Sequence, residues 1–512
     1  MSLETFLDTL HFHTDQAAPD GWEVNWEDAP LPYKLYRHLP SITLSTEIPL
    51  SLDQIETSNN VTLDIIGHFL FYTYGLTQLC HSGMPIAEKD YAFMQRFRRF
   101  APSGGGLYPN ELYVYLKIKD VPTGIYHYDV AHHRLVLLRE GNFDSFISRA
   151  LGNRYDESSS FATVFISTMF WKNFFKYHNF SYRLQGLDAG VLIGQLQEVA
   201  KRYKFHTSVH YQFLDRAVNH LLGLSETEES VYAVIPLGEE SSQNEFDRNI
   251  SSTDLCHEIP KIDCQHYVKS KNITPYPMLL KLNEATFLDS TQSFQNVKRS
   301  QSIHLLDQEH LLPQVERVSY NFAEACRSRY SPEMDFTFKK LSKEKLIYLL
   351  YETAASFPYR NDGTTNDVSL YLTLFGIEGI QNGAYVYYGQ THTLQLIQQG
   401  DFRLLLQNAM TTHNLSLFQV PLCVHIVGER QHAKEELGYR GYRIQQMEAG
   451  ILSQKLLLAA GAIDLGGHPL LGFDVDTCDN LYRLNEQGKT TLIQIPVGFY
   501  EERAWLRGSL GS

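Results

Sequence analysis

YRLQGLDAGVLIGQLQEVA, residues 182–200, returns as YRIQQMEAGILSQKLLLAA at residues 442–460, 260 positions further along the 512-residue chain. The same spacing separates Pro236 and Gly238 of IPLG from Pro496 and Gly498 of IPVG. GIYHYDVAHHRLVLLREGNF from Gly124 lines up with GAYVYYGQTHTLQLIQQGDF from Gly383 at a spacing of 259. An interval held within about one residue over this length marks a duplicated unit rather than a compositional accident. It narrows the length prior to two domains of roughly 200 to 250 residues, each large enough for its own core. The expected division is 1–238, a linker at 239–262, and 263–512.

Both periods of secondary structure occur within each copy. Ala189, Ile193, Leu196 and Ala200 share one helical face, as do Ala449, Ser453, Leu456 and Ala460. TLDIIGHFLFYTYGLTQL from Thr62 also carries helical signal, and SKEKLIYLLYETAASF from Ser342 opens like a capping box without its acid. ELYVYLKI from Glu111, SLYLTLF from Ser369, SVYAVIPLG from Ser230 and TTLIQIPVG from Thr490 read as strands. Each copy is therefore expected to be an α+β layer structure. EESSQNEFDRNISSTD from Glu239 reads as an exposed linker, and the stretch to about residue 315 as ordered chain that lets the second copy fold back on the first.

A net charge of −14 leaves no positive field to collect phosphates, so neither nucleic acid nor an anionic membrane surface is an expected partner. No stretch approaches the roughly 18 apolar residues of a membrane helix, and MSLETFLDTLHFHTDQ lacks the pattern of a secretory signal. The six cysteines are scattered, without a C-x-x-C pair, and read as reduced thiols of a cytoplasmic protein. His127, His132, His133, His206 and His210 show no recurring metal-like spacing, so no metal is expected. The 31 Tyr and 29 Phe suit either aromatic cores or stacking on a planar ligand.

Arg98 to Pro109 reads RRFAPSGGGLYP. Gly104, Gly105 and Gly106 after Pro102 and Ser103 let backbone N–H groups approach a flat or anionic ligand, and Arg98 and Arg99 suit a phosphate. From the residues alone, a glycine-rich surface turn with solvated arginines fits as well. The loop has neither the Gly-Lys-Ser/Thr ending of a Walker loop nor dinucleotide G-x-G-x-x-G spacing. Asp188 and Glu448, before the repeated Ala-Gly, read as capping or structural hydrogen-bonding residues.

RRFAPSGGGLYPNELYVYL followed by GIYHYD resembles the SagB/ThcOx-type azoline dehydrogenases, a branch of the FMN-dependent nitroreductase superfamily. LHFHTDQ from Leu10 and YKLYRHLPSITL from Tyr33 resemble that family's lead-in. The resemblance covers most of the first copy and extends more weakly over the second, which is similar to the general nitroreductase pattern.

The resemblance implies an intramolecular pseudo-dimer of two nitroreductase-like domains, with FMN at their interface and each site built from both. Arg327, Ser328 and Arg329 of CRSRY match the superfamily's phosphate element, and the first copy has no counterpart at its start. Gly466, Gly467, His468, Pro469 and Leu470 of GGHPLLGFD are similar to the segment behind the flavin ring, where FHTSVHYQFLD of the first copy has lost its glycines and proline. Conversely, NDGTT at residues 361–365 replaces PSGGG. Each copy keeps what the other lacks, so one composite FMN site is expected and its pseudo-symmetric mate is expected to be degenerate.

Lys176 and Tyr177 match the family's Lys-Tyr pair implicated in proton abstraction, with Glu436 and Leu437 at the same offset in the second copy. Without the family, a snorkelling lysine and a packed tyrosine explain them equally. Adjacent helical residues diverge by about 100°, so both can serve one site only at a bend or loop. The implied activity is oxidation of azolines to azoles in a ribosomally made peptide, with O₂ reoxidising the flavin and a cyclodehydratase as partner enzyme. An NAD(P)H-dependent nitro- or quinone reductase and an inert flavin-binding scaffold are the alternatives. Whether the pseudo-dimer stays monomeric or associates further is left open.

Overall fold

The computed structural model describes residues 1–52, 61–87, 90–238, 247, 249–297, 309–313, 320–362, 368–502 and 506–509. Most of the polar stretch from Glu239, and residues 363–365 of the second-copy loop, lie outside the described residues. In chain order the strands are β1 (Ser41–Thr43), β2 (Gln78–Ala87), β3 (Asp90–Arg98), β4 (Asn110–Leu116), β5 (Gly124–Asp129), β6 (Arg134–Glu140), β7 (Ser160–Met169), β8 (His206–Thr207) and β9 (Glu229–Gly238). They continue as β10 (Glu309–Leu311), β11 (Ser369–Leu374), β12 (Gly383–Tyr388), β13 (Thr393–Gln399), β14 (Leu422–Glu429), β15 (Gly466–Gly467), β16 (Lys489–Gly498) and β17 (Leu506–Ser509).

Two seven-stranded sheets have the same order, β1-β6-β5-β4-β7-β9-β8 and β10-β13-β12-β11-β14-β16-β15. Their registers repeat as well. Gly466 pairs with Gly498 and Gly467 with Val497, as His206 pairs with Gly238 and Thr207 with Leu237. A third sheet, β17-β2-β3, joins the C-terminal strand to a hairpin of the first half.

The two YR segments form the long helices Ser181–Arg202 and Tyr439–Gly461. A single apolar face understates them, because nearly every residue of both is buried. They are each other's main neighbour, and glycine makes this possible. A Cβ on Gly190 would lie 1.9 Å from the Met447 carbonyl oxygen, and one on Gly450 would lie 2.2 Å from that of Leu187. A Cβ on Gly186 would meet Gln446 Cβ, and one on Gly194 would meet Gln454 Cβ. These partners are 260 residues apart, so a pseudo-twofold axis runs between the helices.

The repeated arginine of YR ties the halves together. Arg183 donates to Leu492 O (2.6 Å) and to the carbonyls of Leu10 and His11, at the C-terminal end of the helix Leu3–Phe12. A cation is favourable there. Arg443, its mate, donates to Asn283 in the helix Pro277–Glu284 and pairs with Asp215 of the first half (3.5 Å). The helix predicted from Thr62 spans Leu63–Tyr74 and stops at Gly75, and Ser342 Oγ accepts from Lys345 N (3.3 Å), capping its helix as expected. Within the stretch read as linker, Ser252–Glu258 is helical, and its Leu255 is buried in a cluster with Phe146 and Phe294.

Candidate functional site

The glycine-rich loop follows β3 and is fastened from beneath. Ser103 Oγ donates to Asp188 Oδ2 (2.6 Å), and Gly104 N donates to Asp188 Oδ1 (3.1 Å). Ser103 Oγ in turn accepts from Tyr108 N (2.9 Å), so its side chain braces the loop. Asp188 is buried, which pushes its pKa up to about 7 against the opposing effect of these hydrogen bonds. The expected structural hydrogen bond thus has a specific object. It anchors the loop to the central helix.

Gly105 is exposed with φ +64°, and a Cβ there would lie 2.6 Å from Tyr177 Oη and 2.8 Å from Lys176 Nζ. The two side chains therefore converge on the loop although they are adjacent in sequence. Their helix, Trp171–Tyr177, ends there, and His178 takes φ +47°, a turn that L-residues seldom adopt. Burial lowers the pKa of Lys176, and nearby Arg96 lowers it further while Glu333 opposes. Burial raises the pKa of Tyr177, with Asp188 adding to the effect. Lys176 is thus the readier proton acceptor of the pair. Tyr177 keeps its proton and is a donor.

CRSRY of the second half meets the stem of the same loop. Arg329, buried, donates through Nε to Phe100 O (2.7 Å), and Arg98 Nη2 donates to Arg329 O (3.0 Å). Burial, with Arg98 close by, lowers the Arg329 pKa to about 10. Arg327 is exposed and donates to Leu50 O (2.8 Å), and Ser328 Oγ turns back to Ala325 O. A cavity of about 210 Å³ is lined by Arg98, Arg99, Arg327 and Arg329 together with Tyr72 and Phe100. Arg99 is buried with its guanidinium over Tyr74 (3.8 Å) and Tyr108 (4.6 Å), and its Nε and Nη1 have no hydrogen-bond partner. Arg99 Nη2 donates to Pro32 O, so its guanidinium is held among Tyr74, Tyr108 and Pro32, while Arg98, Arg327 and Arg329 around the cavity suit an anionic group such as a phosphate.

The segment from Gly466 lies against the residues that follow CRSRY. A Cβ on Gly466 would strike the Pro332 ring, and His468 Nδ1 donates to Pro332 O (2.7 Å). Glu333, which sequence reasoning did not single out, acts electrostatically on both Lys176 and His468. Pro469 is half-buried, and Leu470 N donates to Gln494 O, holding the segment at the sheet edge. Pro102 is likewise half-buried on the loop.

At the pseudo-symmetric position the described residues of the loop and of the edge segment bond to each other. Val209 N donates to Arg360 O (2.9 Å) and Asp362 N to Val209 O (3.3 Å), so loop and edge segment pair directly. Asp362 also accepts from Tyr211 N (2.6 Å) and pairs with Arg154 (2.6 Å), and Tyr211 and Tyr359 share a hydroxyl hydrogen bond (2.9 Å). Among the described residues no cluster of His, Cys, Asp and Glu could hold a metal ion, and no helix is long and apolar enough to cross a membrane.

Residues 76–239 match the protein-family model described as Nitroreductase family, so the chain carries a nitroreductase-family domain. A crystal structure of a protein from Anabaena variabilis assigned to the nitroreductases shares the whole fold. Its TM-score is 0.72 over 98% of this chain and 99% of that one, at 20% identity. The trifolitoxin-processing protein TfxB of Rhizobium leguminosarum bv. trifolii is 29% identical over 152 residues, 28% of this chain and 39% of TfxB. The match thus spans well under half of that relative's length. A chain of the E. coli microcin synthetase McbBCD complex with truncated pro-MccB17 bound aligns at 20% identity over 39% of this chain and 70% of its own. Its TM-score is 0.28.

Proposed function

We propose that this chain is an FMN-dependent oxidoreductase that oxidises azolines to azoles in a ribosomally made peptide. The observation that carries the reading is the convergence of Lys176 Nζ and Tyr177 Oη on Gly105, in a loop whose stem also binds Arg329 of the other half. FMN fits the residues present. Arg98, Arg327 and Arg329 would hold its phosphate, and the Gly104–Gly105 backbone and the segment from Gly466 to Leu470 would flank its ring. When bound, FMN supplies the two-electron acceptor.

Aromatising an azoline removes a Cα proton as well as a hydride, so a base is needed where the ring is held. Lys176, with its lowered pKa, accepts that proton at Nζ, while the protonated Tyr177 donates a hydrogen bond and orients the ring. Asp188 keeps the loop in contact with both. The similarity to a trifolitoxin-processing protein supports a peptide as substrate, with a ring-forming cyclodehydratase as partner enzyme.

The test is turnover of a synthetic thiazoline peptide by the FMN-loaded chain, followed by mass spectrometry. Wild type should convert the ring to a thiazole, and Lys176→Ala should slow conversion by roughly 10²- to 10⁴-fold. Rapid anaerobic bleaching by NAD(P)H with turnover of a nitroarene, and none of thiazoline, would favour a nitro- or quinone reductase. Equal rates in wild type and Lys176→Ala would remove the role given to the lysine.

A further inference from the structure

Beside Lys176 stands an aromatic side chain that the chemistry above does not use. Trp26 is 48% exposed, one of the few large apolar side chains left open to solvent. Its ring lies 5.5 Å from Lys176 Nζ and meets Phe175 edge-on at 5.6 Å. Lys176 is therefore bordered by Gly105 on one side and by Trp26 on another.

The position of this tryptophan is built. Asn25 Oδ1 accepts from Asp28 N (3.3 Å), and Ala29 N donates to Trp26 O (3.3 Å), closing a turn around it. The Asp28 carboxylate accepts from the backbone of Lys271 (2.7 Å) and Asn272 (2.8 Å). Ser270 Oγ donates to Asp28 O (2.7 Å) and accepts from the indole of Trp171, the first residue of the helix that ends in Lys176-Tyr177. Further back on the same strap, Trp22 packs edge-on against His178 (5.0 Å). The turn is thus fixed to the helix that carries the base. The indole is thus fixed beside the base, and about half of it stays open to solvent.

We infer that Trp26 is a substrate platform: the five-membered ring of the peptide packs on its exposed surface and is thereby presented to Lys176. This deepens the azoline reading and rests on it. Packing on a preformed indole costs little side-chain entropy on binding and selects for a ring over an open serine or cysteine residue.

The experiment uses the full-length, FMN-loaded chain and a synthetic peptide with one thiazole between glycines, whose binding is measured by calorimetry. Trp26→Ala should weaken binding by roughly three- to tenfold and raise KM for the matching thiazoline peptide more than it lowers kcat, while Trp26→Phe should restore most of the loss. FMN content should be the same in all three proteins. If wild type turns over the thiazoline peptide and Trp26→Ala binds the thiazole equally well, the platform is wrong and the azoline reading stands. If wild type neither binds nor turns over ring peptides, both fall. Loss of FMN along with binding in Trp26→Ala would make the residue a structural support and overturn the inference.

Discussion

Asp188 sits on the central helix where its carboxylate accepts from both the Ser103 hydroxyl and the Gly104 amide, one residue before the glycine that touches Lys176 and Tyr177. Burial holds its pKa near 7, far above the value of about 3.8 that it would have in an unfolded chain. The folded state therefore binds this proton more tightly. The resulting stability is complete below the unfolded value and is lost as pH rises through about 7. Glu157, also raised to about 7 by burial, contributes in the same sense. Buried histidines such as His133 and His425, lowered to about 4, act in the opposite sense over the same window, so the carboxyl is isolated by comparison: in thermal melts wild type should lose stability relative to Asp188→Asn as pH rises through about 7. An unchanged slope in Asp188→Asn would show that the carboxyl does not titrate there. Sequence could mark Asp188 as structural, since it precedes a repeated Ala-Gly. It could not name the partner, because the loop it grips lies 85 positions away.

At the scale of elements, the decisive contact is the pairing of the long helices at Gly190 and Gly450. Alanine is favoured over glycine by about 1 kcal/mol in a helix interior, so propensity alone makes Gly190→Ala stabilising. Packing reverses the sign. A methyl 1.9 Å from the Met447 carbonyl oxygen would force two backbones apart, and destabilisation of about 3 kcal/mol or more is expected from overpacking on this scale. Gly194→Ala, whose methyl meets Gln454 Cβ at 3.0 Å, should cost less. Urea denaturation of the two variants checks this, and equal costs would refute the seam. The helices themselves were legible, because the repeat quotes them twice and their apolar residues recur at helical spacing. The β2–β3 hairpin was not. Pro85 and Gly83 interrupt its pattern, and its third strand, β17, comes from the far end of the chain. The turn around Trp26 was hidden for the same reason, since the backbone that fixes it belongs to residues 271 and 272.

For the molecule as a whole, the two positions related by the pseudo-twofold axis differ. At the first, the glycine loop and the Gly466 segment belong to opposite halves, and a cavity beside the loop's stem gathers four arginines. At the second, Val209 and Asn361 pair backbone to backbone, Asp362 is engaged by Arg154, and two tyrosines share a hydrogen bond. Opening the second position for a ligand would break a buried ion pair and strip several hydrogen bonds, whereas the first has a cavity lined by Arg98, Arg327 and Arg329. FMN titration of the purified chain, followed by flavin fluorescence, should therefore saturate at one per chain. Arg327→Gln removes an exposed guanidinium of the first position without emptying the core, so it should keep the fold and weaken FMN by roughly tenfold, the scale of a charge-assisted hydrogen bond. Arg154→Gln disturbs the second position and should leave both the affinity and the count unchanged. Saturation at two per chain, or a loss of affinity in Arg154→Gln to match that in Arg327→Gln, would mean that the halves are still functionally symmetric and that the losses read from the repeat carry no such consequence.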